Sequence, residues 1–318
     1  VHHSNLCSEI TLPTTEDRTA VCCLSSVNLE EFDEWRDDDM FIPDLVRMLD
    51  NVLTFFIDNA PDELHRAKLS AQRERSIGLG AMGFHAYLQR QHIPFESVLA
   101  KGANNRMFNR IKSEAVRATK QLAVERGECP DGQGFGVRNA HLLAVAPNAS
   151  SSIICGNTSP SIEPYRANAF TQKTKSGSSL LKNEYLEDCL RDIDMDTDDV
   201  WKSIITNNGS VQHLEFLDDY TKDVFKTAVE IDQKWVIEFA ADRQKEICQS
   251  QSLNVFFPAN VSKQELHAIH MMAWKQGVKT LYYLRSEAIK RAETVSDEAL
   301  RKYIFDSIDE NACLACEG

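Results

Sequence analysis

Ser4-Asn5-Leu6-Cys7-Ser8-Glu9-Ile10-Thr11-Leu12-Pro13 sets an amide, a thiol and a carboxylate two residues apart. Side chains alternate along an extended backbone, so Asn5, Cys7 and Glu9 are expected to project to one side of it. Leu6, on the other side, and Ile10 and Leu12 are expected to anchor the segment in apolar surroundings. An amide that holds a hydroxyl, a carboxylate that takes a proton and a sulfur that can attack would make a reaction centre. The same residues suit a strand edge with one structural cysteine, because free Cys commonly serves as a small buried hydrophobe.

The 318 residues allow one large or two modest domains with a substantial core. With 35 Lys+Arg against 48 Asp+Glu, the formal charge of −13 disfavours a nucleic-acid polymer as partner, since such surfaces need clustered cations. A small anionic ligand needs only a few donors and is compatible with this balance. No apolar run approaches the roughly 20 residues that span a bilayer, so no membrane partner is expected. Val1-His2-His3-Ser4 does not resemble a signal peptide and carries no initiator Met. Either a Met ahead of Val1 is removed or the chain is a piece of something longer. Nine Cys, an odd number scattered from Cys7 to Cys316, argue for a reducing, cytoplasmic setting over a secreted disulfide scaffold.

Outward from the opening stretch, Ala20 to Leu29 reads as a short strand and Pro43 opens a helix with apolar Leu45, Leu49, Leu53, Phe56 and Ile57. Gly78-Leu79-Gly80-Ala81-Met82-Gly83 matches the dinucleotide fingerprint in letters, but Ala71 to Ser76 is not the buried strand that must feed it, so close helix packing is expected instead. Residues 96–127 read as a long helix closed by Gly127. His141 to Ala146 reads as a strand broken by Pro147. Asn148-Ala149-Ser150-Ser151-Ser152 then offers hydroxyls and helix-start N–H groups to a phosphate, or serves as a Ser-rich cap alone. Two helices are expected over 198–249, the second running from Tyr220 to Gln249, then a strand over Ser252 to Pro258. Ser262 with Glu265 forms a capping box, and Val278 to Arg285 is rich in β-formers. Strands alternating with helices give an α/β class.

Cys313 and Cys316 form a C-x-x-C on a tail expected to be mobile. Two thiols at this spacing exchange disulfides; zinc would need two more ligands, and no second close Cys/His pair stands nearby, so no metal site is expected. A purposeless, merely oxidisable tail is the remaining reading.

Asn5-x-Cys7-x-Glu9, Cys22-x-Leu24-Ser25, the Pro147–Ser152 loop, Val278-Lys279-Thr280-Leu281-Tyr282-Tyr283 and the tail dithiol occur in one order. Together they resemble the large, catalytic subunit of class I ribonucleotide reductase over essentially the whole chain. The resemblance implies the second half of a ten-stranded α/β barrel over residues 1–285, with a flexible redox tail over 286–318. It implies that Cys7 becomes the thiyl radical that abstracts the 3′ hydrogen of a ribonucleoside diphosphate. Glu9 would take the 3′ hydroxyl proton and Asn5 would hold the ribose hydroxyls. Cys22, two residues before Leu24-Ser25, would be one of the two reducing thiols, with Cys23 facing away. Tyr282 and Tyr283 would relay the radical from a small subunit's metal cofactor, although two consecutive strand tyrosines should diverge. Ala149, Ser150 and Ser151 would hold the substrate phosphates, with the side-chain share reduced by Ala149. Cys313 and Cys316 would re-reduce the site and be recharged by thioredoxin or glutaredoxin. No cofactor would bind this chain directly, and an amino-terminal half of the subunit would have to assemble with it, because half a barrel leaves open edges and an uncovered apolar face. A thiol–disulfide or structural module without radical chemistry is the alternative, and it leaves the tyrosine pair unexplained.

Overall fold

The computed structural model describes residues 2, 4–174 and 177–286. Its strands are β1 (Cys23–Asn28), β2 (Ile77–Met82), β3 (Ala169–Thr174), β4 (Gly177–Lys182), β5 (Val255–Phe257) and β6 (Leu284–Ser286). The dithiol Cys313/Cys316 and nearly all of the tail placed over 286–318 lie outside the described residues.

Five extended segments lie side by side, parallel and in chain order. β1 pairs with β2 in the register Cys23↔Ile77 to Asn28↔Met82. Residues 141–145 add next, through Leu79↔Leu143 and Leu79 N–H donating to the Leu142 carbonyl at 2.8 Å. Residues 249–252 follow, with Val145 N–H donating to Ser250 at 3.0 Å and Ser252 N–H to Val145 at 2.8 Å. β5 continues that segment and pairs with β6, while Tyr282 N–H reaches the Leu253 carbonyl at 2.8 Å. Parallel neighbours need long crossovers, and helices supply them: Phe41–Asn59 and His65–Glu74 after β1, Phe84–Arg90 and Val98–Arg126 after β2, and Lys263–Lys275 after β5.

The helices form for local reasons. Val46, Leu49, Leu53 and Ile57 recur at three and four along Phe41–Asn59 and are all buried. Ser97 caps Val98–Arg126 by accepting from Ala100 N–H, and Ser262 caps Lys263–Lys275 by accepting from Glu265 N–H, as the capping box requires. One buried ion cluster ties this layer together. Asp50, fully buried, accepts from Arg75 Nε at 2.7 Å, Arg126 at 2.8 Å and Asn139 at 3.2 Å. Burial opposes its ionisation, but the guanidiniums of Arg75, Arg138 and Arg126 outweigh that and hold its carboxyl below the usual range.

Two expectations are corrected. The glycine-rich stretch does not pack a helix; Ile77–Met82 is itself a fully buried strand. A Cβ on Gly80 would stand 2.5 Å from the Ala144 carbonyl oxygen, so only glycine lets the third segment approach there. The long helix from Tyr220 to Gln249 is two, Asp219–Val224 and Gln233–Gln244. It breaks because Asp232 caps the second by accepting from Lys234 N–H. A further helix, His65–Glu74, forms in a polar stretch that has no apolar repeat to announce it. Beside the main core, Leu186, Leu190, Trp201, Ile204 and Phe225 form a second one next to the β3–β4 hairpin. Among the described residues no helix is long and apolar enough to cross a membrane.

Gly80→Ala is expected to destabilise the chain by about 1–3 kcal/mol, because its methyl meets backbone that cannot move aside. Gly102→Ala, inside Val98–Arg126 with only the Arg106 guanidinium near its Cβ, is expected to stabilise by about 0.5–1 kcal/mol. Urea midpoints of the two variants should therefore move in opposite directions.

Candidate active site

The opening stretch is a turn and not the extended strand expected from alternation. Ser8 has φ +67, and its N–H donates to the Asn5 carbonyl at 3.1 Å. The Asn5 side chain closes the turn by accepting from Ile10 N–H at 3.0 Å. Leu6 is exposed and anchors nothing; Leu12, 1% exposed, does the anchoring.

Ser252 fixes the turn on the sheet. Its hydroxyl lies 2.6 Å from the Cys7 carbonyl oxygen and 3.0 Å from Glu9 Oε2, and the Glu9 carbonyl accepts from Ser250 N–H at 2.9 Å. Glu9 is thereby a buried carboxylate held at one oxygen. On the neighbouring segment, the Ser8 hydroxyl donates to the Leu281 carbonyl, which brings the turn beside the tyrosines.

Cys7 Sγ stands 3.5 Å from Tyr282 Oη. The Tyr282 and Tyr283 rings do not diverge: their centroids are 4.0 Å apart at 39°. The pair stands at the start of the ladder: Tyr282 N–H reaches the Leu253 carbonyl and Val255 N–H donates to the Tyr283 carbonyl at 3.0 Å, while Tyr283 N–H turns to a side chain. Tyr283 N–H donates to Asn254 Oδ1 at 3.0 Å, and Asn254 Nδ2 donates to the buried Glu163 carboxylate at 2.6 Å. The Arg285 guanidinium lies 4.8 Å over the Tyr283 ring.

Cys22 and Cys23 face opposite ways. Cys23 packs on the main core, whereas Cys22 Sγ lies by Gly78 and accepts from Gln249 Nε2 at 3.4 Å. Burial pushes the Cys22 thiol up to about 12, opposed by the Gln249 amide and reinforced by Cys23, Cys248 and Glu9. Farther along β1, the Ser26 hydroxyl donates to Asn148 Oδ1 at 3.0 Å. At about 3.3 Å per residue, Cys22 and Ser26 are some 13 Å apart. Asn148, at φ +53, starts the helix Ala149–Ile154, so Ala149, Ser150 and Ser151 form its first turn. First-turn N–H groups have no acceptor within their own helix and suit an anion.

Sequence reading missed Ser252, Gln249, Asn254 and Glu163. The run Gln249-Ser250-Gln251-Ser252 is polar throughout, and only the structure shows it to be completely buried. Among the described residues, no group of three His, Cys, Asp or Glu side chains is placed to hold a metal ion.

The parallel sheet and the turn docked on it carry a carboxylate, two thiols and a stacked tyrosine pair. The family model for the ribonucleotide reductase barrel domain matches residues 1–133 and 130–284. The ribonucleoside-diphosphate reductase large subunit of Invertebrate iridescent virus 6 is 52% identical over 310 residues, covering 96% of this chain and 32% of that protein. That of Invertebrate iridescent virus 3 is 48% identical over 321 residues, covering 100% and 50%. Among solved structures, the Actinobacillus ureae class Id ribonucleotide reductase alpha subunit matches with a TM-score of 0.85 at 42% identity, over 90% of this chain and 54% of that one. The chain belongs to the ribonucleotide reductase barrel-domain family. It spans half or less of the length of these two viral relatives.

Burial pushes the Glu163 carboxyl up to about 7, against the pull of Arg166 and Arg285, from an ordinary value of 4.5. The folded chain thus holds a proton there that the unfolded chain releases, so stability falls as pH rises through that window. Glu163→Gln should lose less stability than the parent between about pH 5 and about pH 8, by roughly 1–3 kcal/mol, in urea titrations at the two values.

Proposed function

We propose that this chain reduces ribonucleoside diphosphates to deoxyribonucleoside diphosphates by thiyl-radical chemistry, as the carboxyl-terminal part of a class I catalytic subunit. The observation that carries the reading is the 3.5 Å approach of Cys7 Sγ to Tyr282 Oη, with Tyr283 stacked behind it. A phenol gives up an electron and a proton together, so this contact can exchange a hydrogen atom between sulfur and oxygen.

In this reading Cys7, as a thiyl radical, takes the 3′ hydrogen of the ribose. Glu9 accepts the 3′ hydroxyl proton and Asn5 holds the hydroxyls. The 2′ oxygen leaves as water with a proton from a reducing thiol. Cys22 and a second thiol supply two electrons and two protons and close a disulfide, after which the Cys7 S–H returns its hydrogen to C3′. Atoms balance: one ribonucleotide and two thiols give one deoxyribonucleotide, one disulfide and water. Ala149, Ser150 and Ser151 hold the diphosphate at the helix start, which Ser26 positions through Asn148. The wide spacing between Cys22, just ahead of β1, and Ser26 within it suits a ligand with a sugar at one end and phosphates at the other.

The partners in this reading are an amino-terminal half that supplies the remaining strands and the second thiol, and a small subunit whose metal cofactor provides the radical. Thioredoxin or glutaredoxin supplies electrons through Cys313 and Cys316. Residues 1–285 form the half-barrel and 286–318 the redox tail, and the setting is cytoplasmic. β1 and β6 are the sheet's two edges among the described residues, which supports a need for further strands.

Cys7→Ser in the assembled enzyme is expected to reduce deoxyribonucleotide formation to background with the fold unchanged by circular dichroism. Continued turnover would overturn the radical reading and favour a plain thiol–disulfide module.

A further inference from the structure

Gln249 takes no part in the chemistry described so far, yet it is completely buried against Cys22. Its backbone is held on both sides: N–H donates to the Leu143 carbonyl at 3.2 Å, and its own carbonyl accepts from Lys279 Nζ at 2.8 Å and Gln244 Nε2 at 3.1 Å. Its side-chain Nε2 donates at 3.0 Å to the Ile77 carbonyl as well as to Cys22 Sγ. That second bond fixes which end of the amide meets the sulfur. Turning the amide over would set two carbonyl oxygens against each other at Ile77. Cys22 therefore always faces an N–H donor. Oε1 is buried and has no partner among the described residues, so the amide is not oriented by a donor on its other side.

We propose that Gln249 is the positioning residue of Cys22, holding Sγ toward the site and favouring the sulfur when it bears negative charge. A sulfur-facing N–H helps little while the thiol is neutral and more once the proton has left, because hydrogen bonds to charged acceptors are the stronger ones. The other groups near this thiol, namely Cys23, Cys248 and Glu9, act in the opposite direction, as does burial itself. The Gln249 amide is thus the built-in counterweight that lets a desolvated thiol ionise and exchange. The inference deepens the reading of Cys22 as a reducing thiol and rests on it. Its test reads the thiol directly, without nucleotide turnover, so the two can fail separately.

The full chain and its Gln249→Met and Gln249→Glu variants, both near-isosteric and both without the N–H donor, are treated with iodoacetamide at about pH 9. Each cysteine is followed by peptide mass spectrometry. Cys22 alkylation is expected to slow about threefold or more in both variants, since a falling thiolate fraction is only partly offset by greater nucleophilicity. Cys189, in the second core, is expected to keep its rate. An unchanged or faster Cys22 rate would overturn the proposal. Should a variant fail to fold, the parent chain labelled with 15N-glutamine decides: the Gln249 side-chain amide resonance must move when Cys22 is alkylated, and an unmoved resonance would overturn it.

Discussion

The hydroxyl of Ser252 holds the site together. One side chain touches the backbone of Cys7 and the carboxylate of Glu9. Leu12, the Ser250 N–H and the Leu281 carbonyl also hold the turn to the sheet, but Leu6 is exposed and the Asn5 side chain bonds within the turn, so the reactive pair takes its position from this clasp. Ser252 stands where the fourth segment passes from pairing with residues 141–145 to pairing with β6. The clasp thus sets the turn at the junction of both neighbours, and Tyr282 arrives on the second of them. A single buried O–H set between two oxygens needs a fixed geometry, and a fixed geometry is what the proposed hydrogen-atom exchange between sulfur and phenol would require.

The sheet supplies the second constraint. Parallel strands in chain order bring residues more than two hundred positions apart to one face, as with Cys22 and Gln249 or Cys7 and Tyr282. Gly80 admits the third segment to β2, and Asp50 with its three cationic partners locks the helices outside. Rigidity of the outer layer matters because the site is built from the ends of segments and from one turn, all of which take their positions from it.

Much of this was legible in the residues themselves. The capping box at Ser262, the helix end at Gly127 and the apolar repeat of Phe41–Asn59 are local features and read directly. Choosing Cys22 over Cys23 followed from alternation and from the family pattern, and the two do face opposite ways. Other features were hidden because they depend on distant partners. Ile77–Met82 carries glycines that weaken a strand by propensity, and only burial between two neighbours makes it one. The stacked tyrosines defied alternation at the start of the ladder, where Tyr283 N–H bonds the Asn254 side chain, a partner no local pattern shows. The trio of Asn5, Cys7 and Glu9 looked like a strand face, but the local bond from Ser8 to Asn5 makes it a turn. Gln249 was read as a helix end and Ser252 as a strand start, since no single sequence shows that the polar side chains between them will find buried partners.

The central claim is that oxidising equivalents reach Cys7 through Tyr282. Electron paramagnetic resonance on the assembled enzyme, with Tyr282 replaced by the more easily oxidised 3-aminotyrosine, tests it most directly. An aminotyrosyl signal that appears on mixing with nucleotide is the predicted result. No signal at that position, while the small subunit's radical is still consumed, would contradict it.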